Sequence, residues 1–274
     1  MKQLLFFLLL FSRFYLPAQQ DAWVFFKDKP QAKTFLENPT SMLSQHALER
    51  RRNQSIAITL SDVPLDNTYY QYLKSEKGIV LLAKSKWLNA VHVRGTEDAI
   101  AGLQTNFSFI NRIEFADKTL NKKPFSGQVK PTSTNQNKFG NMTLGFDYGN
   151  ATEQITMIKA NVLHAQDLTG SGIRIAIMDA GFPNVNTLNA FERLRRQEKL
   201  LGGYNFVERK EDFYTGHQHG TNVLSDIAGY VEGEFIGTAP DASFYLFITE
   251  DVANETPLEE SLWVEAAEKA DSLV

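Results

Sequence analysis

Between Gly172 and Pro240 the chain carries an acid and a histidine in settings that few folds can accommodate. Ile173-Arg174-Ile175-Ala176-Ile177-Met178 is a short, mostly apolar run rich in β-branched residues and bounded by Gly172 and Gly181. Such a run suits a strand buried on both faces, as in a parallel sheet. Asp179 ends it, and open α/β sheets present their ligands at the carboxyl ends of strands. Forty positions on (219 − 179), His219 stands before Val223, Leu224, Ile227 and Ala228, which recur at helical spacing. His219 is therefore read as opening a helix, with the small Gly220 and Thr221 allowing close approach of backbone or substrate. An acid ending a strand and a histidine opening a helix can meet at one edge of a sheet. The carboxylate then accepts the Nδ1 hydrogen, fixes the tautomer, and leaves Nε2 free to take a proton from a nucleophile.

These residues resemble the subtilisin-like serine proteases (subtilases, peptidase S8). The acid motif of that family, an apolar strand ending Asp-Ser/Thr-Gly, reads here Asp179-Ala180-Gly181. The histidine motif, His-Gly-Thr-His-Val with Ala-Gly further on, reads His219-Gly220-Thr221-Asn222-Val223 and then Ala228-Gly229. Gly237-Thr238-Ala239-Pro240 is similar to the family's Gly-Val-Ala-Pro before the next core strand, Ala242 to Ile248. The order acid then histidine is that of subtilisins, whereas α/β-hydrolases run serine, acid, histidine. The resemblance covers roughly 155–274. It departs from the pattern at Ala180, where a hydroxyl residue is usual, and at Asn222, where the family has a second histidine outside the triad. The Gly-Thr-Ser-x-Ala nucleophile motif and the oxyanion asparagine do not occur in 241–274.

The resemblance implies an α/β fold: a truncated, parallel-sheet, subtilisin-like catalytic domain preceded by a ferredoxin-like α+β propeptide domain. It implies Asp179 and His219 as catalytic residues of a secreted serine endopeptidase, a zymogen that hydrolyses peptide bonds through an acyl-enzyme. The chain is expected to be the N-terminal portion of a longer protease and to be inactive without the serine. The alternative is a non-catalytic, truncated subtilase-like binding or inhibitor protein, against which the retained acid and histidine argue.

Four segments are expected. Residues 1–18 read as a signal peptide: Lys2 is the positive start, Leu4 to Phe11 is an apolar run too short to span a bilayer, and Leu16-Pro17-Ala18 suits cleavage before Gln19. Residues 19–116 read as a small domain. Ala22 to Lys27, Ile79 to Ala83, Ala90 to Val93 and Phe107 to Phe115 suit strands. Asp66 to Lys77 and Thr96 to Leu103 suit helices capped by Asp66 and Thr96, and a further helix spans Ser44 to Asn53. Without that last helix the order is strand, helix, strand, strand, helix, strand, the split βαβ arrangement. Subtilase propeptides often have this fold, and such a propeptide is a folding template and inhibitor. Residues 117–150 read as a polar linker, with maturation cleavage expected between Ala116 and Asn141. Residues 151–274 form the subtilase-like part, with a helix over Ile155 to Gln166, an insertion and helix over Phe182 to Asn205 whose Ala190 to Glu198 is solvated, and an amphipathic helix over Pro257 to Val274, in which Leu258, Leu262, Trp263, Ala266, Ala267 and Ala270 recur at helical spacing as the packing face, with Glu259, Glu260, Glu265, Glu268 and Lys269 mostly between them.

The remaining features narrow the partners. A net charge of −4 gives no reason to expect nucleic-acid or membrane binding, and the absence of cysteine excludes disulfides and thiolate metal sites. His217 and His219 form a His-x-His pair of a kind that chelates zinc, but no third ligand accompanies it, so no metal site is expected. Glu208, Glu211 and Asp212 lack the ordered spacing of a calcium loop; a structural calcium ion stays open and no cofactor is implied. His46, His92 and His164 read as surface or packing residues, and Ser171 and Ser225 lie in the wrong motifs for a nucleophile. The expected partners are polypeptide substrates and the chain's own propeptide, with a monomeric state and an extracellular or cell-surface location.

Overall fold

The structure is a computed structural model and describes residues 18–121 and 145–274. The expected signal segment up to residue 17, and residues 122–144 of the expected linker and cleavage region, lie outside the described residues.

The N-terminal unit comprises β1 (Gln19–Phe26), α1 (Ala32–Glu37), α2 (Gln45–Asn53), α3 (Asn67–Ser75), β2 (Ile79–Ser85), β3 (Ala90–Thr96), α4 (Glu97–Asn106) and β4 (Ile110–Phe115). Its sheet runs β2-β3-β1-β4 with every neighbouring pair antiparallel. That is the expected order of strands and helices, with α1 and α2 inserted after the first strand. Asp66 accepts from the amides of Thr68 and Tyr69 at 2.9 and 3.1 Å, and Thr96 from that of Ala99 at 3.2 Å. Both caps satisfy amides that a helix start leaves without intrahelical partners. One sheet face, through Val24, Phe26, Val91 and Val93, packs on Leu73, Ile100 and Leu103 of α3 and α4.

The second unit comprises α5 (Thr152–Met157), α6 (Ala160–His164), β5 (Arg174–Asp179), α7 (Glu192–Arg196), β6 (Leu200–Asn205), α8 (His219–Ala228), β7 (Tyr230–Val231), β8 (Phe235–Ile236), β9 (Ser243–Ile248) and α9 (Leu258–Leu273). The sheet β5-β9-β6 is wholly parallel. Side chains alternate along β9: Phe244, Leu246 and Ile248 pack with Leu224 and Ala228 of α8, while Tyr245 and Phe247 pack with Leu262 and Ala266 of α9. Helices therefore cover both faces, as the pattern of elements requires.

Four expectations need correcting. The linker does not extend to 150, because Tyr148 is buried beside Ile155 and its hydroxyl meets His164 Nδ1 at 2.8 Å. The single helix expected over 155–166 is two short ones, broken where Lys159 adopts a left-handed φ of 61°. The end of the supposed insertion is the strand β6, and within it Phe191 and Leu194 are fully buried rather than solvated. On α9, Trp263 is 53% exposed whereas Glu268 is 6% exposed.

Glu268 is buried because α9 has a second partner. The face of the N-terminal sheet opposite its own core lies against this helix, with Ala83 in the same apolar cluster as Leu262, Ala266 and Ala270. Around that patch the contact is polar. Glu268 accepts from Ser85 Oγ at 2.5 Å and from the amides of Lys86 and Trp87 at 2.9 and 3.0 Å. Asp271 pairs with Arg50 at 2.7 Å and Arg51 at 2.5 Å, and Ser261 Oγ meets His92 Nδ1 at 2.8 Å. Burial pushes the Glu268 pKa up, and the three donors oppose that push. Replacing Glu268 with Ala strands those donors at the contact. Glu268→Ala is expected to destabilise the assembled chain by about 3 kcal/mol, read as a lowered denaturation midpoint in urea; a midpoint equal to wild type would contradict this account of the contact.

Candidate functional site

Asp179 is the last residue of β5, paired in register with Ile248 of β9. Its carbonyl accepts from the amide of Thr249 at 3.0 Å, so the ladder continues through the residue that carries the acid. The carboxylate is 8% exposed and accepts from the Ala180 amide at 2.7 Å. That donor is backbone, which is why the missing hydroxyl at Ala180 leaves the acid anchored.

The chain then turns back beside itself. Phe182 donates its amide to the Thr215 carbonyl at 2.9 Å, and His217 to the Ala180 carbonyl at 3.0 Å. This pairing, bridged at Gly181 and Gly216, delivers the segment that opens α8 to the edge where Asp179 ends. Thr221 Oγ1 ties the first turn of α8 to the Pro183 carbonyl at 2.8 Å. Gly220 is required by proximity: a Cβ there would lie against the Gly181 carbonyl oxygen and 2.9 Å from Asp179 Cβ. The helix is held from its other end by the Gly237-Thr238-Ala239 segment, whose amides donate to the carbonyls of Gly229, Asp226 and Ile227.

The result joins the two residues that the sequence singled out. His219 Nδ1 lies 2.9 Å from both carboxylate oxygens of Asp179. The imidazole is 62% exposed, so the pair is a buried acid under an open base. The hydrogen bond to Asp179, and then the charge of that carboxylate, raise the His219 pKa above the ordinary 6.5; Glu250 adds a smaller push the same way. Nε2 makes no hydrogen bond among the described residues, and such an imidazole can accept a proton there and keep the charge stabilised from behind.

Other residues fall elsewhere. His217 accepts from the His219 amide at 3.3 Å. Among the described residues no three His, Asp or Glu side chains are grouped so as to hold a metal ion. Ser225 donates to the Asn222 carbonyl at 2.7 Å, a bond within its own helix. His92 and His164 are buried packing residues and His46 is exposed. The sequence reading did not single out Glu250, two residues beyond β9; a period-two extension of that strand would have placed it on the α8 side.

A parallel sheet with an acid at one strand end and a histidine opening the adjacent helix is the arrangement that the resemblance to subtilisin-like proteases implied. Residues 21–135 match the peptidase S8 propeptide domain of Bacteroidota. Subtilisin E of Bacillus subtilis is 34% identical over 97 residues, covering 33% of this chain and 22% of that protein. Subtilisin Savinase of Lederbergia lenta is 32% identical over 92 residues, covering 33% of this chain and 30% of that protein. The chain thus spans less than a third of the length of these relatives. Among solved structures, the epidermin leader peptide processing serine protease of Staphylococcus aureus matches over 92% of this chain and 48% of its own, with a TM-score of 0.47 and 14% identity. Fervidolysin from Fervidobacterium pennivorans matches over 86% and 31%, with a TM-score of 0.43 and 17% identity. Residues 21–135 thus match a peptidase S8 propeptide domain, and a third of the chain is similar to subtilisins.

Replacing Asp179 with Asn keeps the shape but removes the charge and one acceptor. The His219 pKa, followed by its ring-proton NMR signals, is expected above 6.5 in wild type and to fall in Asp179→Asn. Because the folded-state value is raised, the pair's contribution to stability is present below the unfolded value of 6.5 and is lost as pH rises through the raised value. A His219 titration unmoved by Asp179→Asn would contradict the assigned contact.

Proposed function

We propose that this chain is part of a secreted serine endopeptidase of subtilisin type. Asp179 and His219 act in it with a serine supplied from outside these 274 residues. The observation that carries this reading is the two-oxygen grip of Asp179 on His219 Nδ1, at 2.9 Å to each oxygen, beneath an exposed ring. His219 Nε2 takes the proton of the serine hydroxyl as its oxygen attacks the peptide carbonyl. The same nitrogen returns that proton to the leaving amine, which breaks the peptide bond and leaves an acyl-enzyme. Water, deprotonated by His219 in turn, releases the acid and restores the serine. Asp179 fixes the tautomer and stabilises the imidazolium throughout.

The propeptide domain packed on α9 supports a zymogen, matured by cleavage between Ala116 and Asn141. The charged start and apolar run of 1–18 support export. The protein's partners are then polypeptide substrates and its own propeptide.

The test is hydrolysis of peptides by the full-length protein and its variants. His219→Ala is expected to lower kcat by about 10^5 to 10^6, because the members of such a triad act as a unit. Asp179→Asn is expected to lower it by about 10^4. The mature N-terminus of the wild-type protein should fall within 117–141. Variants within about tenfold of wild type, or a mature chain beginning after Ile155, would overturn the proposal.

A further inference from the structure

Asp179 fixes the start of α8, and a second histidine holds its far end. His164, the last residue of α6, is 4% exposed, and both of its ring nitrogens are engaged. Nδ1 lies 2.8 Å from the Tyr148 hydroxyl, and Nε2 lies 2.9 Å from the Thr238 carbonyl oxygen. A carbonyl only accepts, so Nε2 carries the hydrogen and donates to Thr238. In the neutral ring Nδ1 is then the acceptor, and Tyr148 donates to it. The Tyr148 hydroxyl thus sets the tautomer of His164, as the Asp179 carboxylate sets that of His219.

Thr238 is where this clasp meets α8. Its amide donates to the Asp226 carbonyl at 3.1 Å, while the amides of Gly237 and Ala239 donate to the carbonyls of Gly229 and Ile227 at 2.8 and 2.6 Å. These carbonyls belong to the last turn of α8 and its cap, where intrahelical donors run out. The seam is tight: a Cβ at Gly237 would lie 2.6 Å from the carbonyl carbon of Ile227. Tyr148 in turn belongs to an arm, 146–150, that pairs with the β7–β8 hairpin following α8. Gly233 donates to the Asp147 carbonyl at 2.9 Å, and Asn150 to the Glu234 carbonyl at 2.8 Å. Phe146 makes edge-to-face contacts with His164 and Tyr230, with ring centroids 5.3 and 5.7 Å apart. Arm, His164 and Thr238 therefore form one contiguous clamp on the end of α8 opposite His219. A helix of 10 residues carries a slip at one end to the other as a rigid displacement.

We propose that His164 is a positioning residue for the catalytic base: its bond to the Thr238 carbonyl fixes α8 along its axis, and so fixes the approach of His219 to Asp179. This inference rests on the protease reading above.

The experiment compares two variants of the full-length protein, each of which keeps one of the two bonds. In His164→Gln the side-chain amide reaches as far as Nε2 and donates to Thr238, while Tyr148 loses its acceptor. In His164→Asn the shorter amide reaches only as far as Nδ1, so it keeps Tyr148 and abandons Thr238. His164→Asn should lower kcat by about 10- to 100-fold, the scale of a small misplacement of a catalytic group, with KM within about twofold of wild type. The His219 pKa, followed by its ring-proton NMR signals, should fall toward 6.5 in the same variant. His164→Gln should restore both, with kcat within about threefold of wild type. A merely structural histidine would give two variants destabilised alike, each short of one buried hydrogen bond, with kcat and the His219 titration of the folded molecules unchanged. A kcat in His164→Asn equal to wild type, or one that falls as far in His164→Gln, would overturn this inference and leave the protease reading standing. If wild type hydrolyses no peptide, the protease reading falls and the His219 titration decides the positioning by itself: a fall in His164→Asn alone supports it, and no fall overturns it.

Discussion

The parallel ladder between β5 and β9 is the constraint on which the rest of the structure depends. Its register, Asp179 opposite Ile248, decides which residue ends the sheet. A shift of one residue would turn every side chain of β9 to the other face. Phe244, Leu246 and Ile248 would then leave α8, and the helix that carries His219 would lose the surface it rests on. The buried position of the Asp179 carboxylate follows from the same pairing, because the Thr249 amide continues the ladder over it.

Much of this was legible in the sequence. Asp179 and His219 announce themselves because each ends or opens an element bounded by residues that only a close approach explains. The order of elements in the N-terminal unit was legible too, since Asp66 and Thr96 mark helix starts and the strands between them are apolar. What was hidden depends on contacts distant along the chain. β6 reads Leu-Leu-Gly-Gly-Tyr-Asn, a poor strand by composition. It forms because Gly203 lies against the Phe213 ring and the Leu246 carbonyl, where any Cβ would clash.

The helix α9 shows the same limit from another direction. Its periodicity suggests one apolar face and one solvated face, and Glu268 falls on the solvated side of that pattern. The helix is in fact pressed between two units, the parallel sheet on one side and the N-terminal sheet on the other. A buried glutamate with three donors is invisible to a count of apolar residues, because its partners at Ser85, Lys86 and Trp87 lie more than 180 positions away along the chain. The contact is a small apolar patch within a ring of ion pairs and hydrogen bonds. Such a composition resembles an interface between separable partners more than the interior of a single domain.

The central claim is that His219, braced by Asp179, activates a serine. The most direct measurement is labelling of the full-length protein with a fluorophosphonate, which bonds covalently to an activated serine, followed by mass mapping of the modified peptide. The account predicts one labelled serine in wild type and loss of labelling in His219→Ala. Labelling that persists without His219, or a folded wild-type protein that takes no label, would contradict it.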